Sequence, residues 1–257
     1  MPEFGLAGAE VMCENLIYAL RDNGMDVIAV SLYDYHSPIT KRLENAGVDI
    51  RYLGKKKGLD LSMIRKLRIL FKTEQPDAIH THLYAIKYAV VAAMQAKIKR
   101  RVHTVHNVAK KECGKLSRAL NKFFFKHAKV VPVALSGLIQ DTIEQEYKLD
   151  KKNIPVILNG IDLSKCNPKT DYATGEKIKI LHIGRFAEQK NHKGLVQAFA
   201  IFHQTYPNSV LQLIGDGELR EEIQRLVDAV GLTDCVEFLG LQENVYGYLH
   251  DTDIFTL

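Results

Sequence analysis

Arg185 and Lys190 stand five residues apart in Ile183-Gly184-Arg185-Phe186-Ala187-Glu188-Gln189-Lys190-Asn191, directly after an apolar run at 178–183. That run reads as a buried parallel strand. A strand ending in a glycine and two cations offers a diphosphate site at the carboxyl edge of a sheet, where open α/β sheets bind ligands. The spacing alone is common in surface loops, so its surroundings must give it meaning. A second glycine device, Gly215-Asp216-Gly217-Glu218, joins a strand at 210–214 to a helix at 219–230. A third, Phe4-Gly5-Leu6-Ala7-Gly8-Ala9-Glu10, feeds a helix at 9–23 that Gly24 stops. Backbone N–H groups and the helix dipole favour an anion there. A turn that merely uses glycine is the commoner reading of such a loop.

Histidines supply the other candidate chemistry. His106 sits where a strand at 101–105 gives way to a loop, the place where polar side chains of a parallel sheet meet ligand. A histidine satisfied by local backbone is the plainer alternative. His80 and His82 lie two apart on a strand at 76–82, so their rings share a face. No third ligand stands at a suggestive spacing, and a metal site is not expected.

These residues hang on a regular alternation. In the first half, strands are predicted at 26–32, 48–53, 76–82, 101–105 and 129–134, with an extended run at 154–158. Helices separate them at 38–46, 62–73 (capped by Ser62), 84–96, 116–127 and 137–147 (capped by Ser136). A polar stretch at 159–177 reads as a connection. Strands at 178–183, 210–214, 235–239 and 253–257 then alternate with helices at 193–205, 219–230 and 245–250. The pattern is α/β and doubly wound, in two domains, 1–158 and 178–257.

The 257 residues, 46% hydrophobic and 25% charged, suit two soluble globular cores. Cys13, Cys113, Cys166 and Cys235 are scattered, which argues against a disulfide framework or zinc site. The start lacks a basic region followed by an apolar one, and no apolar stretch is long enough to span a bilayer. A cytoplasmic setting fits. Residues 1–157 hold 26 Lys/Arg against 16 Asp/Glu, and the remainder 9 against 14. The basic half suggests an anionic partner; no motif or aromatic-basic platform supports nucleic acid. Lys110, Lys111, Lys115, Arg118, Lys122, Lys126 and Lys129 surround Phe123-Phe124-Phe125. Three adjacent residues of a helix spread over about 200° of arc, so one phenylalanine can project among lysines toward an anionic membrane. A solvated lysine face over an ordinary core is the equal alternative.

Five stretches appear together in order: Gly-Leu-Ala-Gly-Ala-Glu at 5–10, Thr-Val-His-Asn at 104–107, Asn-Gly-Ile-Asp at 159–162, Ile-Gly-Arg…Gln-Lys-Asn at 183–191 and Leu-Ile-Gly-Asp-Gly-Glu-Leu at 213–219. With them the chain resembles the group 1 glycosyltransferases of family 4. The resemblance implies a GT-B fold, two Rossmann-like domains facing across a cleft. It implies transfer of a sugar from a UDP- or GDP-linked donor to a hydroxyl of a carbohydrate or lipid-linked acceptor, with retention and without a cofactor or obligatory metal. Gly8 would approach the donor diphosphate and His106 the donor sugar. Arg185 and Lys190 would bind the diphosphate, and Gly215, Asp216 and Gly217 would support the nucleotide pocket. Surface polysaccharide or glycolipid assembly, at the inner face of a plasma membrane, is the expected setting. The family's opening strand and a later pair of glutamates do not appear in the sequence, so truncation at both ends, with an incomplete second domain, is expected. An inactive fragment and a nucleotide-sugar epimerase or phosphorylase of the same fold are the alternatives.

Overall fold

Strand and helix signals fold close to where the sequence puts them, each strand passing through a helix to the next. The computed structural model describes residues 1–169 and 177–257, so part of the connecting stretch 159–177 lies outside the described residues. The chain divides into two units, Met1–Ile161 and Asp162–Leu257.

The first unit runs α1 (Gly8–Asp22), β1 (Ile28–Ser31), α2 (Pro38–Asn45), β2 (Asp49–Tyr52), α3 (Ser62–Glu74), β3 (Ala78–His82), α4 (Ile86–Gln95), β4 (Arg100–Val105), α5 (Ala109–Glu112), α6 (Lys115–His127), β5 (Val130–Ala134) and α7 (Gly137–Tyr147). Every strand pairing is parallel. Where the sequence suggests one sheet there are two, β1-β2 and β3-β4-β5. The reason is visible at β1, whose backbone bonds the first two residues rather than β3. The Met1 amino group donates to the Val30 carbonyl at 3.0 Å, and Leu32 and Tyr33 N–H groups donate to the Met1 and Pro2 carbonyls.

Local chemistry explains the boundaries. Ser37 and Thr40 form a capping box ahead of Pro38, and the Ser136 hydroxyl accepts the Ile139 N–H at 3.2 Å. Ser62 does not cap α3. The Asp60 carboxylate accepts both its N–H and its hydroxyl, at 3.1 and 2.6 Å, and an anion suits a helix N-terminus better. The extended run at 154–158 forms only a bridge between Ala134 and Val156, because Pro155 has no N–H with which to continue a ladder. Packing closes the unit in layers: Met63, Leu67 and Phe71 of α3 meet Tyr88 and Ala92 of α4, while Phe124 and Phe125 meet Val105, Ile143 and Tyr147. Each such large side chain contributes about 1.5–3 kcal/mol on burial.

The second unit runs β6 (Ile178–Ile183), α8 (His192–Thr205), β7 (Ser209–Ile214), α9 (Arg220–Ala229), β8 (Val236–Gly240), α10 (Tyr246–Asp251) and β9 (Ile254–Thr256). Its parallel sheet has the order β8-β7-β6-β9. The chain lays β6, β7 and β8 side by side, then returns to add β9 on the other flank of β6. The winding therefore reverses at β6, whose carboxyl end is a topological switch point. Phe186, Val196, Phe199, Leu211, Leu213 and Ile223 fill the core.

Two glycines let the loops after β6 and β7 touch. A Cβ on Gly215 would lie 2.0 Å from the Gly184 carbonyl oxygen, and one on Gly217 would lie 2.5 Å from that of Phe186. Gly215 also adopts φ +138°, a conformation open to glycine. Gly215→Ala is expected to cost about 3 kcal/mol, since backbone on both sides must move. Urea unfolding monitored by circular dichroism should show a lowered midpoint. Gly5→Ala, with nothing within 4 Å of the new methyl, is the control; equal midpoints for the two variants would contradict the contact.

Candidate active site

The switch point of the second unit carries both cations. After β6 the chain turns through Glu188–Lys190, and Asn191 caps α8 by accepting the Gly194 N–H at 3.3 Å. Lys190 folds back across the strand exit, its Cδ and Cε each 3.3 Å from where a Gly184 Cβ would lie. Arg185 points outward with 69% of its side chain exposed. Its Nε and Nη2 donate to one oxygen of Glu218 at 3.2 and 2.9 Å. The Glu218 carboxyl sits below the usual range, held there by its own backbone N–H and then by Arg185. Asp216 ties the loops together: its carbonyl accepts the Phe186 N–H at 3.0 Å and its carboxylate accepts the Gly217 N–H at 2.8 Å. Arg185, Lys190, Gly215, Asp216 and Gly217 thus share two touching loops.

Beneath them lie two imidazoles. His182 and His192 are almost fully buried, their ring centroids 4.7 Å apart, and His192 stacks on Phe186 at 4.1 Å. His182 Nδ1 donates to the Thr256 carbonyl at 3.1 Å. Burial, then His182 and Lys190, push the His192 ring down to about 4, so it adds no positive charge at neutral pH.

In the first unit Gly8 opens α1. It is exposed, with no atom within 4 Å of where a Cβ would lie, and no side chain caps the helix. His106 follows β4 and belongs to a polar network. Its Nε2 lies 3.0 Å from His82 Nδ1. His80 Nε2 meets the Thr104 hydroxyl at 2.8 Å, and His103 Nδ1 meets that of Thr81 at 3.0 Å. Burial pushes His106 and His80 down to about 4 and His103 to about 3, and lowers His82 as well. The rings are neutral at pH 7. Glu112 Oε1 accepts the His106 backbone N–H at 3.2 Å, and burial pushes its carboxyl up to about 7. His80 and His82 do share a face, with centroids 4.4 Å apart. Among the described residues no group of three or more His, Cys, Asp or Glu could hold a metal.

Sequence reasoning missed Glu218 as the partner of Arg185, and His82 and Glu112 as partners of His106. Glu218 had a signal, an acid directly after the glycine pair. His82 needed the β3–β4 register, which sets it beside Thr104 and so one step along the same face from His106.

Known proteins bear on the family and the fold. The family model for Glycosyltransferase Family 4 matches residues 6–165, and that for Glycosyl transferases group 1 matches residues 168–257. The chain is 30% identical to N-acetyl-alpha-D-glucosaminyl L-malate synthase of Bacillus anthracis, over 77% of this chain and 54% of that protein. It is 28% identical to an Escherichia coli galactosyltransferase that uses UDP-Gal and a GlcNAc-diphosphoundecaprenol, over 77% and 56%. Across the first curated relatives it spans 35%, 31% and 54% of their length. Anabaena HepE, solved with UDP and glucose, superposes with a TM-score of 0.81 at 17% identity, covering 99% of this chain and 72% of that one. A GT-B fold follows, and this chain belongs to the group 1 glycosyltransferases of family 4.

Proposed function

We propose that this chain serves transfer of a sugar, with retention, from a UDP- or GDP-linked donor to a hydroxyl of a carbohydrate or lipid-linked acceptor. Surface polysaccharide or glycolipid assembly is the proposed setting. The observation that carries the reading is the pair of cations on the loop leaving β6 at its switch point, against the glycine loop after β7. A departing nucleoside diphosphate gains negative charge, and fixed cations with backbone N–H groups stabilise it. Arg185 is held ready by an exposed ion pair, which contributes little to stability and exchanges readily for a phosphate oxygen. Lys190 supplies the second charge. In this reading the side-chain cations carry the diphosphate, and transfer needs no metal. His106 would meet the donor sugar, and Gly8 the diphosphate. Relatives support the donor class: the E. coli enzyme is named for UDP-Gal and HepE holds UDP and glucose.

Arg185→Ala and Lys190→Ala should each lower transfer from UDP- or GDP-hexoses by about two to three orders of magnitude, with EDTA without effect. Calorimetric titration with UDP and GDP should show weakened binding in both variants. Wild-type affinity and rate in both would remove these roles.

A membrane-facing surface is part of the proposal. Phe124 and Phe125 are 2% and 8% exposed, whereas Phe123 is 51% and Leu116, seven residues earlier on the same face, 87% exposed. Lys115, Lys122 and Lys126 surround this stripe, the arrangement of a helix lying on anionic lipid. No helix among the described residues is long and apolar enough to cross a membrane. The chain should float with vesicles containing phosphatidylglycerol and not with phosphatidylcholine alone. Lys122→Glu with Lys126→Glu should abolish flotation, and flotation unchanged by the pair would exclude α6 as the contact.

A further inference from the structure

Beside the imidazoles, the carboxyl ends of β1, β2 and β3 gather a second set of polar groups. Tyr33 lies two residues past β1, Lys55 three past β2 and Tyr84 two past β3, while Lys87 stands in the first turn of α4. Lys55 is 7% exposed and pairs with no carboxylate among the described residues. Its ammonium donates to the Tyr33 hydroxyl at 3.2 Å and to the Lys56 and Gly58 carbonyls at 2.7 and 2.6 Å, which uses all three protons. A buried charge with only neutral partners is costly. Lys55 and Lys87 flank the Tyr88 ring at 5.9 and 5.1 Å from its centroid, and Lys87 also covers Tyr84 at 5.0 Å. Lys87 makes no hydrogen bond or ion pair among the described residues. Leu83, between His82 and Tyr84, sits at φ +51°, uncommon for a leucine; strained backbone of this kind gathers at ligand sites.

A count of protons shows what this cluster lacks. The Tyr33 and Tyr84 hydroxyls meet each other; Tyr84 and then Lys55 hold the Tyr33 phenol below its usual range, while burial and then Tyr33 raise Tyr84. Two phenolic protons make at most one bond between the two oxygens, and the Lys55 ammonium accepts none. Whichever oxygen donates, one O–H and the Lys87 ammonium have no acceptor among the described residues. The free capacity is all donor and lies beside positive charge, which matches the several oxygens of a phosphate. Two acids stand near. Glu3 faces both tyrosines but is exposed and bonds neither. The Asp60 carboxylate accepts the Lys56 N–H and both donors of Ser62. We propose that the carboxyl ends of β1, β2 and β3 bind a phosphate or diphosphate group, held by the Lys87 ammonium and a hydroxyl of the Tyr33–Tyr84 pair, with Lys55 fixing Tyr33. In the proposed reaction the ligand is a phosphorylated acceptor, held apart from the cations of the second unit. The inference rests on that reaction only for calling the ligand an acceptor.

Calorimetric titration with inorganic pyrophosphate tests it in the full chain carrying Arg185→Ala and Lys190→Ala, where the cations of the second unit are gone. One saturable site should remain. Lys87→Met, which keeps an unbranched stem over both rings, should weaken it about tenfold or more. Lys87→Arg should retain it, and Tyr33→Phe with Tyr84→Phe should weaken it about fivefold. No saturable binding in the parent chain overturns the inference. So does undiminished binding in a Lys87→Met chain whose circular dichroism matches the parent. A lipid headgroup is the other source of such a phosphate. Lys87→Met should leave flotation with phosphatidylglycerol vesicles unchanged, and flotation lost with Lys87 would overturn the acceptor as ligand. Pyrophosphate held through Lys87 in a chain that transfers no sugar would support the anion site and remove only the proposed reaction.

Discussion

The second unit depends on one close approach, backbone against backbone, between the loops that leave β6 and β7. Gly215 and Gly217 leave no room for a methyl against Gly184 and Phe186, and hydrogen bonds from Gly184, Phe186 and Leu219 lock the contact. Everything charged at the switch point is arranged around that contact. Lys190 bends over Gly184 because nothing projects from that residue, and Arg185 reaches Glu218 because the two loops run side by side. Both cations are thus mounted on main chain that this contact holds in place.

The first unit solves a different problem. Four imidazoles and a carboxyl group crowd the carboxyl ends of β3 and β4, where like charges would repel. Burial resolves this by keeping the rings uncharged, and hydroxyls of Thr81 and Thr104 meet two of them. The outcome is a polar edge of uncharged rings, suited to holding hydroxyl groups by hydrogen bonds. The edge of the second unit holds charge instead.

How much of this the sequence reveals differs by scale. Strands such as 178–183 and helices such as 137–147 are legible because apolar period and capping residues agree. The cations and glycines of the second unit are legible because they fall next to one another in the chain. What is hidden needs register or distance. The His82–His106 contact spans 24 residues and the Arg185–Glu218 pair 33. The short helix α5, four residues long, gives no period to detect. Ser62 misleads because Asp60 is the stronger acceptor. The division of the first unit into two sheets follows from which backbone lies beside β1, something side-chain pattern does not encode.

Glu218 gives the switch point a further property. With its carboxylate on Arg185, Glu218 neutralises the guanidinium in the absence of a ligand. A ligand must expel a resident carboxylate before it touches the guanidinium. A singly charged species merely exchanges one negative group for another. In the proposed reading, a ligand with several adjacent negative oxygens would engage Lys190 as well, and the acid would then favour ligands of high charge density.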